Sequence, residues 1–149
     1  MSTFDPPYAK PAHAFRSRLF LLSLVAGAWW TLQFIATHVP IALPGAANSL
    51  DKYQHSSAFC VLTILLCSAY ETWRPRREWG YFGVFLLVIA YGGLDEWTQS
   101  FVGRHSDVLD WFADFGGSAC GVGLMFFVAA FWRRSAAASD AASAAVSTR

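Results

Sequence analysis

A chain of 149 residues is the length of one domain rather than two. It is 55% hydrophobic, 17% aromatic and only 14% charged, whereas a soluble domain carries roughly a quarter charged residues, so lipid is the expected solvent. A net charge of +1 leaves no electrostatic footprint for nucleic acid, and no nucleic-acid partner is expected.

In chain order, a Pro-containing head precedes the first apolar run, and residues 1–17 read as a flexible tail. A spanning helix needs roughly 20 mostly apolar residues, and the first candidate runs from about Leu19 to Val39, before Pro40 and Pro44. Arg16 and Arg18 precede it and Ala46-Ala47 follow, as in a signal peptide, but the apolar run exceeds a signal h-region. It reads as a retained helix. The second span covers about Ser56 to Trp73, with a polar first turn from Asp51, and stops at Arg74-Pro75-Arg76-Arg77. The third covers about Trp79 to Phe101, and the fourth about Asp110 to Trp132, ahead of Arg133 and Arg134. The Ala/Ser-rich residues 135–149 read as a second flexible tail. The expectation is an all-α bundle of four transmembrane helices within residues 18–134. Cys60, Cys67 and Cys120 lie inside apolar runs without metal-ligand spacing and read as small buried hydrophobes.

Basic residues set the orientation. Lys10, Arg16, Arg18, Arg74, Arg76, Arg77, Arg133 and Arg134 all fall on one side of a four-span chain, against Lys52 and Arg104 on the other. The positive-inside rule then puts both termini in the cytoplasm. Trp73, Trp79 and Trp132 mark inner span ends, and Trp97 and Trp111 outer ones.

The outer side collects the unusual chemistry. Six of the ten acidic residues map there, namely Asp51, Asp95, Glu96, Asp107, Asp110 and Asp114, together with His38, His55 and His105. Asp95 lies about 22 Å along the third span, where an ionised side chain cannot comfortably face lipid. Asp95, Glu96 and Gln99 share one helix face by their i, i+3 and i+4 spacing. Asp51 is placed to cap the second helix, with His55 one turn on. On the fourth span Asp107, Asp110 and Asp114 follow an i, i+3, i+7 pattern that Gly117 and Gly121 continue, so small residues would let this helix pack closely on a neighbour. Asp114 needs a partner in the bundle, for which Arg104 is the expected choice. The charged groups of helices two, three and four are expected to converge on one water-accessible recess.

These segments resemble the VanZ-like family of glycopeptide-resistance-associated membrane proteins. Asp51-Lys52-Tyr53-Gln54-His55 with Phe59 is similar to its Asp-Lys-x-x-His-x-x-x-Phe pattern. Asp95-Glu96-Trp97-Thr98-Gln99-Ser100-Phe101 is similar to Asp-Glu-x-x-Gln-x-Phe, and Gly103-Arg104 followed by Asp110 and Gly117 to Gly-Arg-x5-Asp with a later glycine. Two positions depart: Asp114 stands where the family has Asn, and Val102 where a proline is common. The resemblance covers about Leu19 to Trp132. It implies a membrane protein of the bacterial cell envelope associated with low-level teicoplanin resistance, which fits an outward-facing site.

Four functional readings follow. In the first, Asp51, Lys52, His55, Asp95, Glu96, Gln99, Arg104, Asp110 and Asp114 bind a lipid-linked cell-wall precursor, with Lys52 and Arg104 on phosphate. In the second, the chain is an enzyme acting on a lipid phosphate or glycan, with His55, Asp95 and Glu96 as proton carriers. No cofactor is called for by a motif, although adjacent acids near a histidine could hold a divalent metal. The third is an ion pathway, for which four spans would need a homo-oligomer, and the fourth is a network that only locks the helix ends.

Overall fold

The computed structural model describes residues 12–39, 48–74, 77, 79–104 and 107–147. They form four α-helices: α1 (Ala12–His38), α2 (Asn48–Trp73), α3 (Trp79–Gln99) and α4 (Val108–Ser147), with a short 3-10 turn at Ser100–Val102. The fold class is all-α, and among the described residues there is no strand.

Helix ends follow local chemistry. α1 closes at His38, two residues before Pro40, a residue type that cannot donate to the preceding turn. α4 starts behind Asp107, whose Oδ1 accepts the Leu109 N–H at 2.9 Å, the hydrogen bond of an N-cap. Between α3 and α4 the chain reverses at Gly103, the residue with positive φ (75°) among those described, where a side chain would be strained.

Three boundaries depart from the sequence reading. α1 already runs from Ala12, so residues 12–17 are helical rather than an irregular tail. α4 does not stop at Trp132 but continues to Ser147, because the alanines that dominate residues 135–147 are the strongest helix formers. α2 opens at Asn48, so Asp51 sits inside its first turn rather than at the cap.

The chain is dressed for lipid. Gln33, His55, Asp95, Glu96, Gln99, Asp110 and Asp114 are buried, while Phe20, Leu24, Phe34, Leu86, Trp97, Phe127 and Phe131 are exposed. That inversion of the usual soluble arrangement is unfavourable in water and natural in a bilayer. Among the described residues three helices are long and apolar enough to cross a membrane: Ala14–His38, Lys52–Trp73 and Val108–Val146. α3 has 21 residues but carries Asp95, Glu96 and Gln99 in its last turns, which dilute its apolar character.

α2 and α4 form the most extensive helix pair, and α1 and α3 pack against them. Glycine explains the closeness. A Cβ at Gly117 would run into the Ser56 carbonyl oxygen, and one at Gly121 would lie 2.8 Å from the Cys60 carbonyl oxygen. Phe59, Leu62 and Val88 form the apolar core, flanked by Trp29, Trp30, Leu66, Val84 and Tyr91. Of the cysteines, Cys67 is buried, Cys60 partly so, and Cys120 exposed, which corrects the expectation that all three are inside.

Candidate functional site

Antiparallel packing brings the C-terminal ends of α1 and α3 together with the N-terminal ends of α2 and α4. Polar residues from all four helices meet at this end in two levels.

At the rim, Lys52 reaches from α2 across to α4. Its Nζ donates to Asp107 Oδ2 and Asp110 Oδ1, both at 3.0 Å. Asp110 is the more enclosed partner, with 9% side-chain exposure against 40% for Asp107. The Asp107 backbone N–H donates to Glu96 Oε2 at 3.0 Å, which ties the start of α4 to α3. Arg104 is half-buried and donates from Nη1 to the Ala36 carbonyl oxygen on α1 at 3.3 Å.

One turn deeper lie two carboxylates with different surroundings. Asp95 is a hub: its Oδ1 accepts the Thr37 and Tyr91 hydroxyls at 3.1 and 3.2 Å, and its Oδ2 accepts the Gln99 amide at 2.9 Å. His38 Nδ1 stands 3.7 Å from the same Oδ1, and its Nε2 is 2.9 Å from the Thr98 hydroxyl. Asp114 is wholly buried, and its Oδ1 lies 3.0 Å from His55 Nδ1. Its Oδ2 has no hydrogen-bond partner among the described residues. The ring of His55 continues inward onto Phe59, whose ring stacks on Tyr91.

His55, Glu96 and Asp114 each offer a ligand atom, and these atoms lie within 4.8 Å of one another. One nitrogen and two carboxylate oxygens, contributed by three different helices, are a donor set for a divalent cation or for proton transfer.

Lys52, His55, Asp95, Glu96, Gln99, Asp110 and Asp114 are therefore gathered at one end of the bundle, with Arg104 at its margin. The side chain of Asp51, and His105, lie outside the described residues. Two expectations change. The partner of Asp114 is His55, not Arg104, because the α2–α4 contact sets the two side chains at the same depth while Arg104 turns to α1. The recess is closed rather than open: the deep groups are buried and satisfied largely by one another. Thr37 and Tyr91 were not singled out from sequence. Thr37 is a polar residue one position from the end of α1, a signal available in the sequence but weak, since a hydroxyl can bond its own helix. Tyr91 sits one turn before Asp95, and that i, i+4 spacing was the readable clue.

A family model described as VanZ/LLP1 matches residues 9–132. No curated protein and no solved structure matches the chain.

Proposed function

The chain belongs to the VanZ/LLP1 family, and we propose that it is a four-span protein of the bacterial cytoplasmic membrane that engages a phosphate-bearing envelope lipid at the outer face. Both termini lie in the cytoplasm in this reading, and the lipid-linked cell-wall precursor is the ligand of choice. Tolerance of glycopeptides such as teicoplanin is the phenotype such engagement would affect.

The observation that carries the reading is the state of Arg104. Lys52 is neutralised by two carboxylates at 3.0 Å, whereas Arg104 spends one N–H on a backbone carbonyl. A guanidinium has five N–H donors and can grip phosphate with two of them. Its place at the margin of the cluster suits a headgroup arriving from the outer leaflet. The test is binding of a polyprenyl-linked precursor to the full chain in lipid nanodiscs. Arg104→Ala should weaken binding at least 10-fold while the protein remains folded, and Arg104→Lys should restore only part of it, since a point charge cannot bond bidentately. Equal binding by wild type and Arg104→Ala overturns the reading.

A second reading, a membrane enzyme acting on a lipid phosphate or glycan, is favoured by the His55–Asp114 hydrogen bond at 3.0 Å. A carboxylate that fixes an imidazole in place is the usual preparation of a histidine for proton transfer. Glu96 belongs to the same group, while both Asp95 oxygens are engaged by Thr37, Tyr91 and Gln99. Turnover lost in His55→Ala or Glu96→Gln would put this reading ahead of simple binding.

A further inference from the structure

We infer that His55, Glu96 and Asp114 form a binding site for one divalent transition-metal cation at the polar end of the bundle. The site is independent of the lipid-binding reading and stands or falls by its own test.

Three observations converge. First, α2, α3 and α4 each contribute one ligand, all three residues are buried, and their ligand atoms lie within 4.8 Å of one another. Second, Asp114 is fully enclosed, yet its Oδ2 has no hydrogen-bond partner among the described residues. A buried carboxylate oxygen left without a donor is costly, and a cation satisfies it. Third, among the described residues no lysine or arginine side chain reaches Asp114. Lys52 is bonded to Asp107 and Asp110, and Arg104 to the Ala36 carbonyl. Asp114 has only the His55 imidazole as an ion-pair partner among the described residues.

The spacing is close to what an ion demands. Two ligands of one tetrahedral zinc ion, each bonded at about 2.0–2.1 Å, stand about 3.3 Å apart. His55 Nδ1 and Asp114 Oδ1 are 3.0 Å apart, so an ion held by Nδ1 and by both Asp114 oxygens displaces the hydrogen bond between them and satisfies Oδ2. A triangle with every side at the 4.8 Å limit would hold its centre about 2.8 Å from each atom, about 0.7 Å beyond a zinc bond. Side-chain rotation covers that gap without moving a helix.

The donor set selects the metal class. An imidazole with two carboxylates suits zinc, manganese or cobalt, whereas magnesium and calcium prefer all-oxygen shells. Asp95 is left out because both of its oxygens are already bonded. Three protein ligands leave a further position, the arrangement of zinc sites that take up water or a substrate oxygen.

The full chain, purified in detergent and stripped with chelator, is titrated with zinc, manganese and cobalt. Metal content, melting temperature and the visible spectrum of the cobalt form are read. The expected result is one equivalent per chain, a rise in Tm of roughly 5–10 °C at a hundredfold excess over Kd, and cobalt d–d bands of a nitrogen–oxygen site. Asp114→Asn, Glu96→Gln and His55→Gln should each lower affinity at least 10-fold, and Asp110→Asn at the rim should not. Wild-type protein that takes up no stoichiometric metal overturns the proposal, as does Asp114→Asn binding as well as wild type. Should the variants fail to fold, the wild-type cobalt spectrum decides alone.

Discussion

Replacing Gly117 by alanine adds one methyl group at the tightest point of the α2–α4 seam. That Cβ would collide with the Ser56 carbonyl oxygen and stand 2.7 Å from its carbonyl carbon. Ordinary contact begins at 3.4 Å, so α4 has to withdraw by at least 3.4 − 2.7 = 0.7 Å against the carbon alone. The obstacle is backbone and cannot rotate aside. Overpacking of this kind costs about 1–3 kcal/mol, or roughly 2–12 °C in Tm at about 2–4 °C per kcal/mol for a chain of this size. The withdrawal also stretches the His55–Asp114 and Lys52–Asp110 bonds, both 3.0 Å and within two turns of Gly117. The assay is the fraction of detergent-solubilised protein that stays monodisperse after heating, across a graded series. Gly121→Ala, 2.8 Å from the Cys60 carbonyl oxygen and 3.0 Å from Thr63 Cβ, should lose less than Gly117→Ala. Gly116→Ala and Gly123→Ala meet nothing within 4 Å and should be near neutral. A Gly117→Ala protein as stable as Gly123→Ala would refute the packing argument.

Other perturbations separate the polar contacts. His55→Ala leaves the buried Asp114 without its ion-pair partner and should cost about 3–5 kcal/mol in chelator-treated protein; the double variant with Asp114→Ala should cost less than the sum, and strict additivity would show that the pair is not coupled. Asp95→Asn offers one oxygen where Thr37, Tyr91 and Gln99 donate to two, so a loss of about 1–3 kcal/mol is expected, read by the same heating assay; no loss would count against the hub. Asp107→Asn keeps the helix cap while Asp107→Ala removes it, and the alanine variant should be less stable by about 1 kcal/mol; equal stability would mean that the Leu109 bond contributes nothing.

Much of this arrangement was legible from residue spacing. The positions Asp107, Asp110, Asp114, Gly117 and Gly121 describe one face of a helix, and that face does meet α2. The 3.6-residue period tells which side chains share a stripe. It does not tell which neighbouring helix the stripe faces, nor at what depth. For that reason the pairing of Asp114 with His55 instead of Arg104, and the reach of Lys52 to α4, emerged only from the packed bundle. Closure of the recess was invisible for a related cause: the donors that satisfy Asp95 include Thr37 from α1, whose rotation about its axis no sequence pattern fixes. The extension of α4 to Ser147 was missed because an Ala/Ser-rich tail has no apolar face to mark it as helical, although its propensity favours a helix.

Everything proposed about the outer face requires that α3 crosses the membrane despite the acidic residues in its last turns. Single-cysteine accessibility in intact cells addresses this directly, using Ser100→Cys, exposed just after α3, and Ala137→Cys, exposed near the end of α4. A membrane-impermeant maleimide should label Ser100→Cys from outside and reach Ala137→Cys only after the cells are opened. Labelling of Ala137→Cys from outside with Ser100→Cys protected would mean that the bundle is inverted or that α3 does not cross, and in either case would place the Asp95–Glu96 cluster on the cytoplasmic side.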